Sequence, residues 1–374
     1  MKKHFDYYLF ALVAFLIAFG LLFLSCLSSY SSLQRYGTTN YYLFHQLFLA
    51  VIAIALGFAA YKTPLHILKK WAPLLVVLNL GALFLVFFPV IGTKIWGASR
   101  WITIAGHSFQ PSEFLKITSI LYLSAWISSK LSEVNVSGWK LNAQKNYHNI
   151  IYILIPFLIF LGIITVGLYL QKDATTLGVI ALTLLVVYFS SKTPWWHTIL
   201  IVFLGVLALF IFIQTESYRA DRLLTFFHPE EDPLGTGYQV KQSLISLGSG
   251  GILGKGLGMS AQKFGWVPQA IGDAVFSIIG EELGMLGCSA IVILFCLFLW
   301  LGIKIARNSN DKFSKLVAIG ISFWITLQAF INIASAIGIF PFVGIPLPFF
   351  SYGGSHLITE LIGIGILLNI SKNS

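Results

Sequence analysis

Five ionisable residues stand inside stretches that are otherwise apolar: Glu113 and Lys116, Glu281 and Glu282, and Glu360. An ionisable group in a lipid interior costs a few kcal/mol, so each is first read as functional. Glu113 and Lys116 are three residues apart, so on a helix they share a face and can pair. A buried ion pair that satisfies only itself is the competing reading. Glu281 and Glu282 are neighbours and point to different sides of a helix. At least one of them is therefore expected to bind a backbone donor or another helix rather than a ligand. Glu360 reads as a helix-packing contact.

Asp273 ends the segment Trp266-Val-Pro-Gln-Ala-Ile-Gly-Asp, just before a long apolar run. A carboxylate there suits a helix N-cap or a general base at a membrane boundary. The glycine-dense run from Gly248 to Gly258 invites a nucleotide-binding reading, which fails on detail. Gly256 follows Lys255 where a P-loop needs Ser or Thr, no GxGxxG spacing is present, and no buried strand precedes it. Glycines here are expected to let the backbone turn and approach a lipid headgroup or another helix closely. Pro348-Phe-Phe-Ser351-Tyr-Gly-Gly-Ser355 interrupts the last apolar stretch, and broken helices are tolerated only where they line a cavity or the protein interior. The chemistry-bearing residues thus point to one cavity rimmed by charge.

The elements that position them are membrane spans. Of 374 residues, 57% are hydrophobic and 10% charged, against about 25% charged in soluble domains. Apolar stretches near the ~20 residues needed to cross a bilayer recur throughout. They predict an all-α integral membrane protein with about ten transmembrane helices: Tyr7–Ser28, Tyr41–Tyr61, Trp71–Ile91, Phe109–Ser129, Ile150–Leu170, Thr175–Ser191, Trp195–Ile213, Ala274–Ala306, Phe313–Ile339 and Ile345–Ile370. The fifth and sixth could also be one broken helix. With both termini cytoplasmic, inner segments and the span ends beside them hold 14 Lys/Arg and short outer loops four, as the positive-inside rule requires. That orientation explains much of the net charge of +10 without nucleic acid. Residues 1–374 form a single polytopic domain, and residues 214–273 form a long extracytoplasmic loop between spans seven and eight, with an amphipathic segment around Tyr238–Leu247. Cys26, Cys288 and Cys296 have no metal or disulfide spacing and read as packing.

At these residues the chain resembles the SEDS family (shape, elongation, division and sporulation), which includes RodA and FtsW. Five ordered stretches carry the likeness. They are Arg100-Trp101-Ile102 with Gln110-Pro111-Ser112-Glu113 and Lys116; Asp232-Pro233 through Gln239; Gln242 through Gly251 to Gln262-Lys263-Phe264-Gly265; Pro268 through Asp273 to Gly284; and Ile345-Pro346-Leu347-Pro348 through Ser355. The resemblance implies a peptidoglycan glycosyltransferase that polymerises lipid II on the outer face of a bacterial cytoplasmic membrane. It also implies a class B penicillin-binding protein as partner. Asp273 falls on the family's essential loop aspartate. Three departures stand out: Ile271-Gly272 where the family usually has His-Thr, Ser108 where it often has Arg, and Lys172-Asp173-Ala-Thr-Thr176 in the loop before span six. His107 and Lys94 are candidates to supply the cation that Ser108 lacks.

The reaction so implied needs a base for the acceptor hydroxyl, assigned to Asp273, and cations for the departing pyrophosphate. Lys116 is the first candidate, with Arg100 and Lys263 behind it. Glu113 orients Lys116, Asp173 positions a headgroup or a cation, and Ser351 and Ser355 line the substrate cavity. No spacing demands a metal or other cofactor, although a divalent cation such as Mg bridging Asp273 and pyrophosphate is compatible with the sequence. Two other functions use similar features: a flippase for the lipid-linked precursor, and a scaffold that only recruits the partner. The concentration of polar residues at one face, with no inverted repeat, favours the enzyme. Gln262 to Gly265 and Gly280-Glu281-Glu282 lean toward FtsW, while Ile345 through Ser351 is at home in RodA.

Overall fold

The computed structural model describes residues 4–88, 91–95, 98–104, 107–130, 149–191, 193–214, 225–228 and 235–373. The acidic stretch His228-Pro229-Glu230-Glu231-Asp232-Pro233 falls largely outside these residues, as does the start of the second likeness motif, Asp232 to Leu234. So do the side chains of Lys94 and His107.

The chain is built mainly of helices: α1 Tyr7–Tyr36, α2 Tyr41–Lys62, α3 Leu65–Leu85, α4 Pro111–Lys130, α5 Ile155–Leu170, α6 Ala174–Ser190, α7 Trp195–Gln214, α8 Thr236–Gly250, α9 Val275–Asn308, α10 Lys312–Ala336 and α11 Gly354–Asn373. A single π-helical turn, Ile150–Leu154, leads into α5. Among the described residues, seven helices are long and apolar enough to cross a membrane. In α4, Glu113, Lys116 and Lys130 dilute the apolar run, and α6 has 17 residues.

Three details depart from the expected spans. The third helix begins at Leu65, after Pro64, so Lys69 and Lys70 lie on its first turns rather than in a loop. The stretch from 337 to 353 is not helical, and α11 begins only at Gly354. The loop before α4 carries a small antiparallel sheet, β1 Gly92–Ile95, β2 Ala98–Ile104 and β3 His107–Phe109, in that spatial order. Its pairings Thr93↔Trp101 and Ile102↔Phe109 match β-branched and aromatic residues across strands, the pairs that stabilise sheets.

Of the expected long loop, the described stretch 235–273 is far from an open loop. Helix α8 packs on α9, with Ser243 Oγ donating to Ala336 O at 2.9 Å and Ser246 Oγ to Ser277 O at 3.0 Å. The glycine run then meets a break in α9 at Gly284 (φ 65°, ψ −165°). Interrupting a helix orphans backbone groups that lipid cannot satisfy, and the glycine run supplies the partners. Lys255 N donates to Glu281 O at 3.0 Å, Gly256 N to Glu282 O at 2.9 Å, and Met285 N to Gly251 O at 2.9 Å. The approach is so close that a Cβ on Gly284 would lie 2.4 Å from Gly254 N. The glycines therefore serve helix contact, not phosphate binding.

One consequence is direct. Gly284→Ala combines a disfavoured φ with that backbone collision and is expected to cost about 1–3 kcal/mol. The check is thermal unfolding in detergent, where Gly178→Ala in α6 serves as a control because nothing lies within 4 Å of its added Cβ.

Candidate functional site

The segment from Ile271 to Asp273 is laced on both sides. Tyr352 N donates to Ile271 O at 2.8 Å, and the Ser351 hydroxyl donates to Gly272 O. From the other side, Asn332 Nδ2 donates to Asp273 O and to Ile345 O, both at 2.8 Å. The helix that follows is capped by Ala274 with no side-chain bond, so Asp273 is not its N-cap. The Asp273 side chain is 9% exposed. Its Oδ2 lies beside Gly344, where a Cβ would approach to 3.1 Å. The chain thus keeps residue 344 bare next to the carboxylate.

One turn before Asn332, about 6 Å along α10, Gln328 performs the matching task. Its Nε2 donates to Pro346 O at 3.1 Å, while its Oε1 accepts from Lys116 Nζ at 2.8 Å and from Trp324 Nε1 at 3.1 Å. Lys116 also donates to both oxygens of Glu113, at 2.7 and 2.8 Å, and sits 5.5 Å from the Trp324 ring centroid. An ammonium has three N–H donors, and three acceptor contacts surround this one. Asp273 and the Glu113–Lys116 pair thus attach to the same two rungs of α10, joined through the 345–346 backbone.

The hairpin between α10 and α11 is held from below as well. Phe349 N donates to Glu360 Oε2 at 3.0 Å, and Leu347 N to Ser351 Oγ at 2.8 Å. His356 Nε2 donates to Ser351 O at 3.1 Å. Glu360 is therefore more than a contact between helices, because its carboxylate binds the broken backbone. Phe349 itself has φ 66°, a conformation that a bulky residue holds only when its surroundings dictate it.

The remaining candidates form a chain along the rim. Ser355 Oγ accepts from Gln110 N at 3.1 Å, and Ser112 Oγ donates to Asp173 Oδ2 at 3.2 Å. The other Asp173 oxygen caps α6 by accepting from Thr176 N at 3.4 Å. Asp173 thus ties the start of α4 to the start of α6, and its carboxylate is occupied by those donors. Arg100 reaches across from β2, donating through Nε to Gln171 O at 3.3 Å and through Nη2 to Lys172 O. Two of its five N–H donors hold the α5–α6 turn, and among the described residues Nη1 meets no protein acceptor.

Lys263 belongs elsewhere. Its ammonium donates to Gly258 O and lies 3.7 Å from Glu282 Oε1. Glu282 also accepts from Gly258 N at 2.8 Å, and Glu281 from Lys255 Nζ at 2.7 Å and Ala261 N at 3.2 Å. Both adjacent carboxylates therefore serve the glycine loop. Among the described residues, no group of three or more His, Cys, Asp or Glu side chains gathers as a metal site.

Sequence reasoning overlooked Gln328, Asn332 and His356. Gln328 and Asn332 carried a visible signal, two amides at i, i+4 in an apolar helix.

A polytopic helical protein with one clustered polar end and interrupted helices there defines a class of membrane protein acting at the boundary of the bilayer. The chain belongs to the FtsW/RodA/SpoVE cell cycle protein family, whose sequence pattern matches residues 7–374. It is 39% identical over 361 residues to the probable peptidoglycan glycosyltransferase FtsW of Borreliella burgdorferi, covering 96% of this chain and 94% of that protein. It is 33% identical over 369 residues to the stage V sporulation protein E of Bacillus subtilis, covering 99% and 97%. Its fold matches a chain of a peptidoglycan synthase complex that coordinates polymerization and crosslinking, with TM-score 0.77, 24% identity, and 98% and 97% coverage. It also matches the rod shape determining protein RodA of Thermus thermophilus, with TM-score 0.67, 24% identity, and 98% and 96% coverage.

The Glu113–Lys116 geometry yields a test independent of any reaction. Removing one partner of a buried pair strands a charge, at a cost of about 3–5 kcal/mol, whereas removing both is often near neutral. Lys116→Met is thus expected to lower the melting temperature more than the Glu113→Gln/Lys116→Met double variant does.

Proposed function

We propose that this chain is a peptidoglycan glycosyltransferase, a single polytopic domain that polymerises lipid II at the outer face of the bacterial cytoplasmic membrane. The observation that carries the reading is the buried Asp273 carboxylate, set by backbone bonds at residues 271–273 and relieved of any helix-capping duty. The relatives that bear this activity in their names match the chain nearly end to end.

In this reading the acceptor sugar hydroxyl attacks the anomeric carbon of the donor, and the bond to lipid pyrophosphate breaks. Asp273 takes the hydroxyl proton as general base. The structural segment that holds it is rigid on both sides, which keeps the base within reach of one hydroxyl position. Charge develops on the leaving diphosphate and calls for preorganised donors. Of the cations assigned to that task, Arg100 retains a donor beyond its two backbone bonds. Lys116 is saturated by Glu113 and Gln328 and acts by fixing Gln328, hence the 345–346 backbone. Lys263 holds the glycine loop. Ser351 and Ser355 act chiefly on the backbone that shapes the cavity, and Asp173 on the docking of α4 to α6. A divalent cation bound to the diphosphate would find Asp273 as its protein carboxylate.

Lipid II as substrate and a class B penicillin-binding protein as crosslinking partner complete the proposal. It is supported by the family membership and by the fold shared with a synthase-complex chain. A flippase also needs a polar cavity, and a scaffold needs only a surface. Neither requires a carboxylate at residue 273.

Asp273→Asn is expected to leave the protein folded in the membrane and to lower polymer formation from lipid II by about 10²–10⁴-fold, the range of a general base. The measurement uses purified protein with its partner in detergent, where transport cannot contribute to product. Wild-type turnover by that variant would remove Asp273 as base.

A further inference from the structure

At the end of α11 opposite the site, about 30 Å along that helix, lies a cavity of ~400 Å³ lined by Tyr61, Lys62, Leu65, His66, Asn369 and Lys372. Nothing in the proposed reaction uses it. Its walls are fixed by backbone contact between α2 and α11: a Cβ on Gly365 would lie 2.0 Å from Gly57 O. Two turns further on, Lys62 and Lys372 approach the ring of Tyr61, with their ammonium nitrogens 5.9 and 5.6 Å from its centroid.

Lys62 also lies 5.3 Å from the Phe58 ring centroid, and an anion beside the Tyr61 ring would be attracted by both ammoniums. No carboxylate lines the cavity. Among the described residues, neither Lys62, His66 nor Lys372 is in an ion pair. The nearby acid is Asp6, whose carboxylate caps α1 through Leu9 N at 3.0 Å and whose backbone N donates to Ser371 Oγ at 3.0 Å. Lys69 turns away, lying 5.9 Å from the Phe313 ring centroid and beside Asp311. Asn369 closes the rear wall by donating to Ala60 O and Thr63 O.

We propose that this cavity is a binding site for the phosphodiester headgroup of an anionic phospholipid, held by Lys62 and Lys372 with His66 and the Tyr61 hydroxyl as further donors. The site sits at the ends of apolar helices, where a headgroup enters with its acyl chains still in the bilayer. Basic pockets between spans at this level are suited to that chemistry. The outer surface of α2 beside it is apolar, with Phe58 60% exposed and Ile54 57% exposed, which offers the chains a lipid-facing path. Free inorganic phosphate shares the headgroup's chemistry but gains nothing from that path.

The test is native mass spectrometry of the purified full-length chain with mixed phosphatidylglycerol and phosphatidylcholine micelles. Wild type is expected to retain phosphatidylglycerol selectively, and Lys62→Ala/Lys372→Ala to lose about fivefold to tenfold of that retention. Lys62→Arg/Lys372→Arg should keep it, which separates loss of charge from misfolding. Lys304→Ala/Arg307→Ala removes two charges from the end of α9, on the same face but outside the cavity. An equal loss in that control would reduce the effect to general surface charge and overturn the proposal. So would displacement of the lipid by inorganic phosphate at equal concentration, which would mark a site for soluble anions. Polymer formation by wild type does not enter the measurement, so its outcome is separate from that of the proposed reaction.

Discussion

Backbone cut open inside a membrane must find its hydrogen bonds within the protein, and this constraint organises the polar end of the chain. Two helical paths are interrupted there, one at Gly284 in α9 and one between residues 337 and 353. Water would satisfy such breaks in a soluble protein; here side chains and glycine backbone replace it. At Gly284 the replacement is the run from Gly251 to Gly256. Between α10 and α11 it is Gln328, Asn332, Ser351 and Glu360. Each interruption also gathers polar side chains at that end. The same bonds that make the breaks affordable therefore build a site.

This explains how charge is distributed at that end. Glu281, Glu282, Lys255 and Lys263 close upon one another and upon the glycine loop. Glu113 and Lys116 close upon themselves and Gln328. These groups cost desolvation energy that only complete pairing recovers, and their pairing leaves them little capacity for a ligand. Asp273 and Arg100 differ in kind. Arg100 uses two of its donors on backbone carbonyls, and the segment carrying Asp273 is held at its peptide groups. Holding a residue by its backbone fixes where its side chain stands.

Hydropathy placed the helices well because lipid imposes a plain rule on every residue that faces it. The first and second apolar windows, for example, coincide with α1 and α2 to within a few residues, apart from the longer end of α1. What escaped was polar structure between helices. Lys69 and Lys70 looked like a loop because charge was equated with exposure to water, yet the long side chains ride on the first turns of α3 and reach the boundary. The sheet from Gly92 to Phe109 lay hidden in a short outer segment with ordinary composition. Asp273 was legible from its type and place, and Glu113 with Lys116 from their spacing. The partners that define them were not. Gln328 and Asn332 sit over 50 residues from Asp273 and over 200 from Lys116, and no local pattern encodes a contact at that range.

Backbone strain supplies the last step. Lys172, Gln269 and Phe349 are the non-glycine residues with positive φ among the described residues, and all three border the polar end. Each such conformation costs about 1–3 kcal/mol and persists only where surroundings over-determine it. Arg100 binds the carbonyl of Lys172, Gly272 N donates to Gln269 O at 2.8 Å, and Glu360 binds the amide of Phe349. Every strained residue is thus held by a hydrogen bond to its own backbone. A flexible rim would need no such enforcement. Strain placed at three separate connections, each locked by a polar contact, fixes the backbone of that end from within, and preorganisation of that kind is what charge stabilisation in a low-dielectric site requires.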